Sequence, residues 1–334
     1  MAQTNLKKSI AVFAVLLSLP ILNCGDGEDD SEKPSREDGA TLVYSPPDGA
    51  SAQNPAISPD GEYILFTLFH HGYQKGPAGL YLYSNTYRSA TALLDDEDFN
   101  AINRSGICWT ADSDKVVFSS NFTPGYGIWT IRRNGKELEH VITHAEKTVS
   151  FVSPGFSPMG QSVVFEYYSG EGKYANRVVC RVSVTGEGFD IISKNTIGQW
   201  QDASPNWSPT GNLIVFQRRE YGEDEADWDI YTMDLFGSDV KALTDNEGQD
   251  IDGSWSPDGS RIVYASGEGG LTVKRIFTIS AGGGTPVRIT NDPDYDDRSP
   301  SWSPDGKWIV FESRPTNQEN TPASLWRIAA PEAD

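Results

Sequence analysis

One short phrase returns six times along the chain, and no other feature limits the possible folds so tightly. Its cleanest copies are Trp255-Ser256-Pro257-Asp258-Gly259, followed by Arg261-Ile262-Val263-Tyr264, and Trp302-Ser303-Pro304-Asp305-Gly306, followed by Trp308-Ile309-Val310-Phe311. Looser copies begin at Ile57, Trp109, Phe156 and Trp207. The Ser or Thr of the phrase falls at 58, 110, 157, 208, 256 and 303, giving spacings of 52, 47, 51, 48 and 47 residues. A period in this range marks a repeat architecture, in which each unit buries its apolar surface against the next.

The phrase reads as a tight turn. Pro sets φ for the first central position of a type I turn, Asp suits the second, and Gly accepts the left-handed backbone after it. The β-branched and aromatic run behind it is a strand, so the turn joins a hairpin. Each period adds strand-like runs such as Asp229-Ile230-Tyr231-Thr232-Met233 and Ala242-Leu243-Thr244. Four short antiparallel strands per repeat of about 40–50 residues predict a propeller blade. The sixth copy stops soon after Ile328 without a fourth strand, while Thr41-Leu42-Val43-Tyr44 stands spare at the other end. The expectation is an all-β, six-bladed β-propeller over residues 41–330, closed by the N-terminal strand completing the last blade, with 331–334 as a tail.

Ahead of the repeats, Lys7 and Lys8 precede an apolar stretch from Ile10 to Leu22. It is too short to span a bilayer and reads as a secretory signal over residues 1–23. The run ending at Cys24 resembles a bacterial lipoprotein signal, which implies lipidation of Cys24; a plain cleaved signal with an incidental cysteine is the alternative. With Gly25 following the cysteine, that resemblance implies a bacterial envelope and, if the cell is Gram-negative, its outer membrane. Residues 24–40 are acidic, with little to bury, and are expected to form a disordered tether reaching roughly 20–25 Å.

The net charge of −20 argues against nucleic acid, whose affinity comes chiefly from Lys and Arg on phosphate. A protein partner is expected, and a cationic peptide segment fits an acidic surface better than an anionic one. The two cysteines beyond Cys24, Cys108 and Cys180, lie in different repeats and are expected as separate buried thiols.

The repeated Ser299-Pro300-Ser301-Trp302-Ser303-Pro304-Asp305-Gly306, followed by Ile309-Val310-Phe311, resembles the WD40-like PD40 repeat of TolB-type propellers, as does Arg288-Ile289-Thr290-Asn291 with Asp297-Arg298-Ser299-Pro300. The resemblance runs across all six copies. It implies a non-enzymatic envelope propeller that offers its channel or a rim to protein partners. Similar propellers also gate peptidases and form oligogalacturonate lyases, so the fold leaves function open.

Counting back five residues from the repeat tryptophans gives Asp202, Asp250 and Asp297, with Arg104 in the equivalent place in the second copy. The first strand of a blade lines the channel, so these residues, with Asp252 and nearby Trp200, are expected at a channel mouth. There they form an acidic funnel for a basic peptide end or a hard cation such as calcium; otherwise each Asp organises the loop before its strand. Under the funnel reading, changing all three aspartates to Asn impairs partner capture without loss of stability. No resident cofactor is expected. The histidines (His70, His71, His140, His144) fall away from these positions, and neither a Gly-Xaa-Ser-Xaa-Gly elbow nor a phosphate-binding glycine loop occurs. The rival reading is a carbohydrate-active or sugar-binding propeller using the same acidic mouth.

Overall fold

β-Branched and aromatic residues crowd behind each turn phrase, and each such run is a strand. The computed structural model describes residues 34–332 except 96–102, 123–124, 194–197, 223–227, 268, 270–271 and 318–320, and excludes the side chains of 103–108. The signal, Cys24 and the tether to residue 33 lie outside the described residues.

After β1 (Thr41–Tyr44), blade 1 contains β2 (Ser51–Ile57), β3 (Tyr63–Phe69), β4 (Ala78–Ser84) and β5 (Ser89–Leu94). Blade 2 contains β6 (Asn103–Trp109), β7 (Lys115–Ser120), β8 (Gly127–Arg132) and β9 (Glu139–Ile142). Blade 3 contains β10 (Val149–Phe156), β11 (Ser162–Ser169), β12 (Asn176–Ser183) and β13 (Asp190–Ile191). Blade 4 contains β14 (Trp200–Trp207), β15 (Leu213–Glu220), β16 (Asp229–Asp234) and β17 (Lys241–Ala242). Blade 5 contains β18 (Asp250–Trp255), β19 (Arg261–Ser266), β20 (Arg275–Ser280) and β21 (Val287–Arg288). Blade 6 contains β22 (Tyr295–Trp302), β23 (Trp308–Pro315) and β24 (Ser324–Ala329), with β1 as its fourth strand. β1 pairs antiparallel to β24, Leu42 opposite Trp326, so the expected closure is what the chain adopts. The innermost strands β2, β6, β10, β14, β18 and β22 contact one another in order, and β22 returns to β2.

The core sits between blades. The aromatic residue of each second strand (Phe66, Phe118, Phe165, Phe216, Tyr264, Phe311) is at most 1 % exposed. Burying such a side chain contributes roughly 1.5–3 kcal/mol. The repeat tryptophans cross the seams: Trp109 Nε1 donates to the Ala56 carbonyl at 3.1 Å, and Trp255 Nε1 to that of Asn206 at 3.3 Å.

The turn chemistry repeats as predicted. In the last copy Gly306 N donates to Ser303 O at 2.9 Å, Ser303 Oγ donates to Asp305 Oδ1, and Trp308 N closes on Ser303 Oγ at 2.9 Å. Gly306 has φ 72°, and an added Cβ there would lie 3.6 Å from Pro257 Cγ, in ordinary contact. The cost of Gly306→Ala is therefore backbone strain alone. Urea unfolding should show a loss of about 1–2 kcal/mol; no loss would mean the turn tolerates a right-handed alternative.

One expectation fails. Residues 34–40, assigned to the tether, dock on blade 6. Ser35 bridges to Thr41, Leu42 N donates to Pro34 O at 3.0 Å, and Asp38 Oδ2 accepts from Asn291 N at 3.1 Å. Arg36 is 7 % exposed and donates to Asp297 Oδ1 at 2.9 Å and Oδ2 at 3.3 Å. Its guanidinium stacks on Tyr295 and Trp326, 4.6 and 5.0 Å from the ring centroids. Polar composition hid this because the partners that hold the segment, Asp297 above all, lie as much as 261 positions away along the chain.

Candidate functional site

A Ser-Pro dipeptide inside a strand is awkward, since Pro offers no N–H to a ladder and is confined to edges and bulges. Ser-Pro occurs in β10, β14 and β22 and Asn-Pro in β2, while β6 and β18 carry Ser-Gly and Asp-Gly, and every inner strand has a bulge near this point where it pairs with its neighbour. At the bulge Asn54, Ser153, Ser204, Asp252 and Ser299 adopt left-handed backbone, with φ between 49° and 60°. Short polar side chains tolerate that conformation best. These five half-buried residues, with Pro55, Pro154 and Pro205, line an axial cavity of about 90 Å³.

Side chains of the second strands hold the bulges across the blade seams. Asn54 N donates to Glu312 Oε2 at 2.8 Å, Ser204 N to Glu166 Oε2 at 3.4 Å, and Asp252 N to Gln217 Oε1 at 3.2 Å. Ser299 Oγ lies 3.3 Å from both Asp252 Oδ2 and Asn54 Oδ1, linking three blades at the axis. Burial raises the pKa of Asp252, and burial together with the Asp252 charge pushes Glu312 up to about 7. Glu166 is also raised by burial, against the pull of Arg177.

The predicted aspartates lie elsewhere. Asp202, Asp250 and Asp297 are each fully buried two residues before the bulge, pointing into the blades. The alternation of a strand puts successive side chains on opposite faces, and the bulge, which the repeat pattern does not announce, decides which of them meets the axis. Asp202 accepts from Arg218 Nε at 2.7 Å and Nη2 at 2.9 Å. Asp297 takes Arg36 and Ser313, and Asp250 takes Asn246 Nδ2 at 2.5 Å. They are loop- and strand-organising groups, and replacing them with Asn should cost stability, reversing the funnel expectation. Among the described side chains of the predicted set, Asp252 alone lines the axial cavity. Trp200 is half-buried, its ring 5.5 Å from the Arg218 guanidinium. Arg104 stands opposite Ser119 in the ladder, and its side chain lies outside the described residues, as does that of Cys108. Cys180 is buried, which pushes its thiol up to about 12. Among the described residues no three His, Cys, Asp or Glu side chains are grouped to hold a metal ion.

From the axis the space widens over blades 1–4 into a mouth of about 360 Å³, which shares Asn54, Ser153 and Ser204 with the axial cavity and adds Phe69, Gln74, Tyr126, Tyr168 and Arg177. On the other side of the axis a network fills the ring. Asp296 accepts from Arg314 at 2.8 Å and Arg298 at 3.1 Å, Arg314 stacks on Tyr73 at 4.4 Å, and Tyr73 Oη donates to Glu312 at 3.1 Å. Sequence reasoning expected a channel mouth but missed this lining; the Ser-Pro at 153, 204 and 299 and the Asn-Pro at 54 were the available signal for the bulges.

Residues 205–324 match the TolB β-propeller domain model, PD40. Among solved structures, TolB from Acinetobacter baumannii aligns at 18 % identity and TM-score 0.57, over 85 % of this chain and 67 % of that one. A putative TolB from Agrobacterium tumefaciens aligns at 18 % and 0.59, over 87 % and 93 %. An oligogalacturonate lyase in complex with manganese aligns at 16 % and 0.58, over 92 % and 96 %. At these identities the likeness is one of fold. No curated protein matches the chain. By its repeats and its six four-stranded blades, the chain is a six-bladed β-propeller, and its residues 205–324 carry the TolB β-propeller domain.

Proposed function

We propose that this is a lipid-anchored propeller of the bacterial cell envelope that binds a protein partner at the mouth over blades 1–4 and performs no chemistry of its own. Anchoring rests on the signal-like stretch ending at Cys24, with the outer membrane favoured by Gly25. The observation that carries the binding role is the division of labour around the axis. Glu166, Glu312 and Asp252 are each engaged in holding the ring together, while the mouth presents aromatic and amide side chains on a rigid frame. Such surfaces suit a peptide segment, since rigid aromatics bury area at low entropic cost. A sugar-cleaving site needs a pair of carboxylates available to substrate, and these are bound within the ring.

A photo-crosslinking residue at Tyr126 tests this in intact envelopes, with the 80 % exposed Tyr87 as control. A discrete crosslinked protein from position 126 and none from 87 is the expected result. Equal labelling from both sites, or none from 126, would remove the mouth as the binding surface.

A further inference from the structure

On a chain of net charge −20, the junction of blades 3 and 4 sets two guanidiniums against one buried indole. The Arg219 guanidinium lies 4.7 Å from the centroid of the Trp228 ring. That of Arg177 lies 5.8 Å from the same ring and 4.5 Å from Tyr168. Trp228 is 8 % exposed, so the platform belongs to the core.

The two arginines are not equally satisfied. Arg177 Nη1 donates to Glu166 Oε1 at 2.8 Å, while its Nε is buried without an acceptor among the described residues. Arg219 Nε donates to the neutral Oε1 of Gln201 at 2.5 Å, and among the described residues no carboxylate pairs with it. Gln201 is fully buried, its amide nitrogen donating to the carbonyls of Lys173 and Ala175. A fixed acceptor thus sets the plane of the Arg219 guanidinium and leaves its two terminal nitrogens for another group. Burial and the neighbouring Arg177 both depress the pKa of Arg219. Among the described residues, two guanidiniums against the single Glu166 leave one surplus positive charge, which matches a monoanion better than a phosphate dianion. A planar fork of N–H donors pairs bidentately with a carboxylate.

We infer that this junction is a carboxylate-recognition site, where Arg219 with Arg177 beside it takes an acidic side chain or the free C-terminus of a peptide. The inference rests on the protein-binding reading of the mouth, which Tyr168 and Arg177 line. It reverses the charge expected of the partner from overall composition, because local pairing and not net charge decides what the mouth attracts.

The test is titration of the full chain with three pentapeptides, monitored by tryptophan fluorescence and calorimetry at low salt. They are N-acetylated pentaglutamate with an amidated end, N-acetylated pentaglutamine with an amidated end, and N-acetylated pentaglutamine with a free terminal carboxylate. The first and third separate side-chain from terminal recognition. Binding of either carboxylate peptide, at least tenfold tighter than the amidated pentaglutamine, is expected. Arg219→Gln should weaken it tenfold or more, and Arg219→Lys nearly as much, since an ammonium lacks the fork. Arg288→Gln on the outer strand of blade 5 should not. If Arg219→Gln does not fold, Arg177→Lys takes its place, and a tenfold weakening is again required. Equal binding of all three peptides, or indifference to these substitutions, overturns the inference. So does binding seen only after Glu223, Asp224, Glu225 and Asp227 are changed to amides, since the chain's own acids would then be the occupant. A partner that crosslinks at position 126 equally well with Arg219→Gln sinks this inference alone; absence of any crosslinked partner sinks the reading beneath it.

Discussion

Replacing Arg36 with Met is expected to lower stability by about 3–5 kcal/mol, the cost of leaving a buried carboxylate without its partner. For a propeller of about 300 residues that corresponds to a fall in Tm of roughly 5–8 °C. Asp297 is fully buried, and burial raises its pKa even with Arg36 in place. Once the guanidinium is gone, the remaining local help is the hydroxyls of Ser313, with Oγ at 2.6 Å, and Thr290, and the carboxyl should take up a proton instead. Two further results share that cause. The loss should shrink as pH falls towards 5, and Arg36→Met combined with Asp297→Asn should recover much of it, because a neutral amide needs no counter-ion. A double variant as unstable as the single one at every pH would show that the segment acts through packing on Tyr295 and Trp326 and not through charge.

The second large effect is on pH. Glu312 is buried and its pKa is pushed up to about 7, by burial first and by the neighbouring Asp252 charge. An unfolded Glu releases its proton near 4.5. Between these values the folded chain holds a proton that the unfolded chain has lost, so stability falls as pH rises through this window. Acidifying from about 7.5 to 5 should therefore stabilise the protein, by up to about 3 kcal/mol from this group. Asp229, also raised to about 7 by burial, acts with the same sign. At lower pH the trend reverses. Asp258 and Asp305 are held below the usual carboxylate range by hydrogen bonds from Ser256 and Ser303, so the stability they contribute is lost when acid protonates them. Glu312→Gln should flatten the neutral slope and raise stability at pH 8. Gln217 shows the substitution is sterically sound, since it fills the same position in blade 4 and accepts the Asp252 N–H. A pH profile unchanged by Glu312→Gln would mean that the ring carboxylate ionises normally.

The backbone plan was legible because it is written in local chemistry repeated six times. Pro-Asp-Gly demands one kind of turn, and the run behind it can only be a strand with one buried face. The closing strand was legible by subtraction, as a lone β-like run facing a blade one strand short. Asp202, Asp250 and Asp297 show where this reading ends. Counting from Trp placed them correctly along the strand, but the face a side chain takes depends on a bulge, and a single left-handed residue such as Ser204 or Ser299 redirects the side chains beyond it. Arg36 shows the other boundary. A short polar segment has no periodicity of its own, and its order comes from a carboxylate far along the chain. The number of blades, their strands and the way the ring shuts could all be read from the order of residues, since each depends on contacts within one repeat or on a count of strands. Which carboxylates are locked in the ring, which guanidinium at the junction of blades 3 and 4 has no carboxylate partner among the described residues, and where the propeller begins were settled only in the folded molecule, because electrostatic pairing depends on distance in space, to which spacing along the chain gives no key.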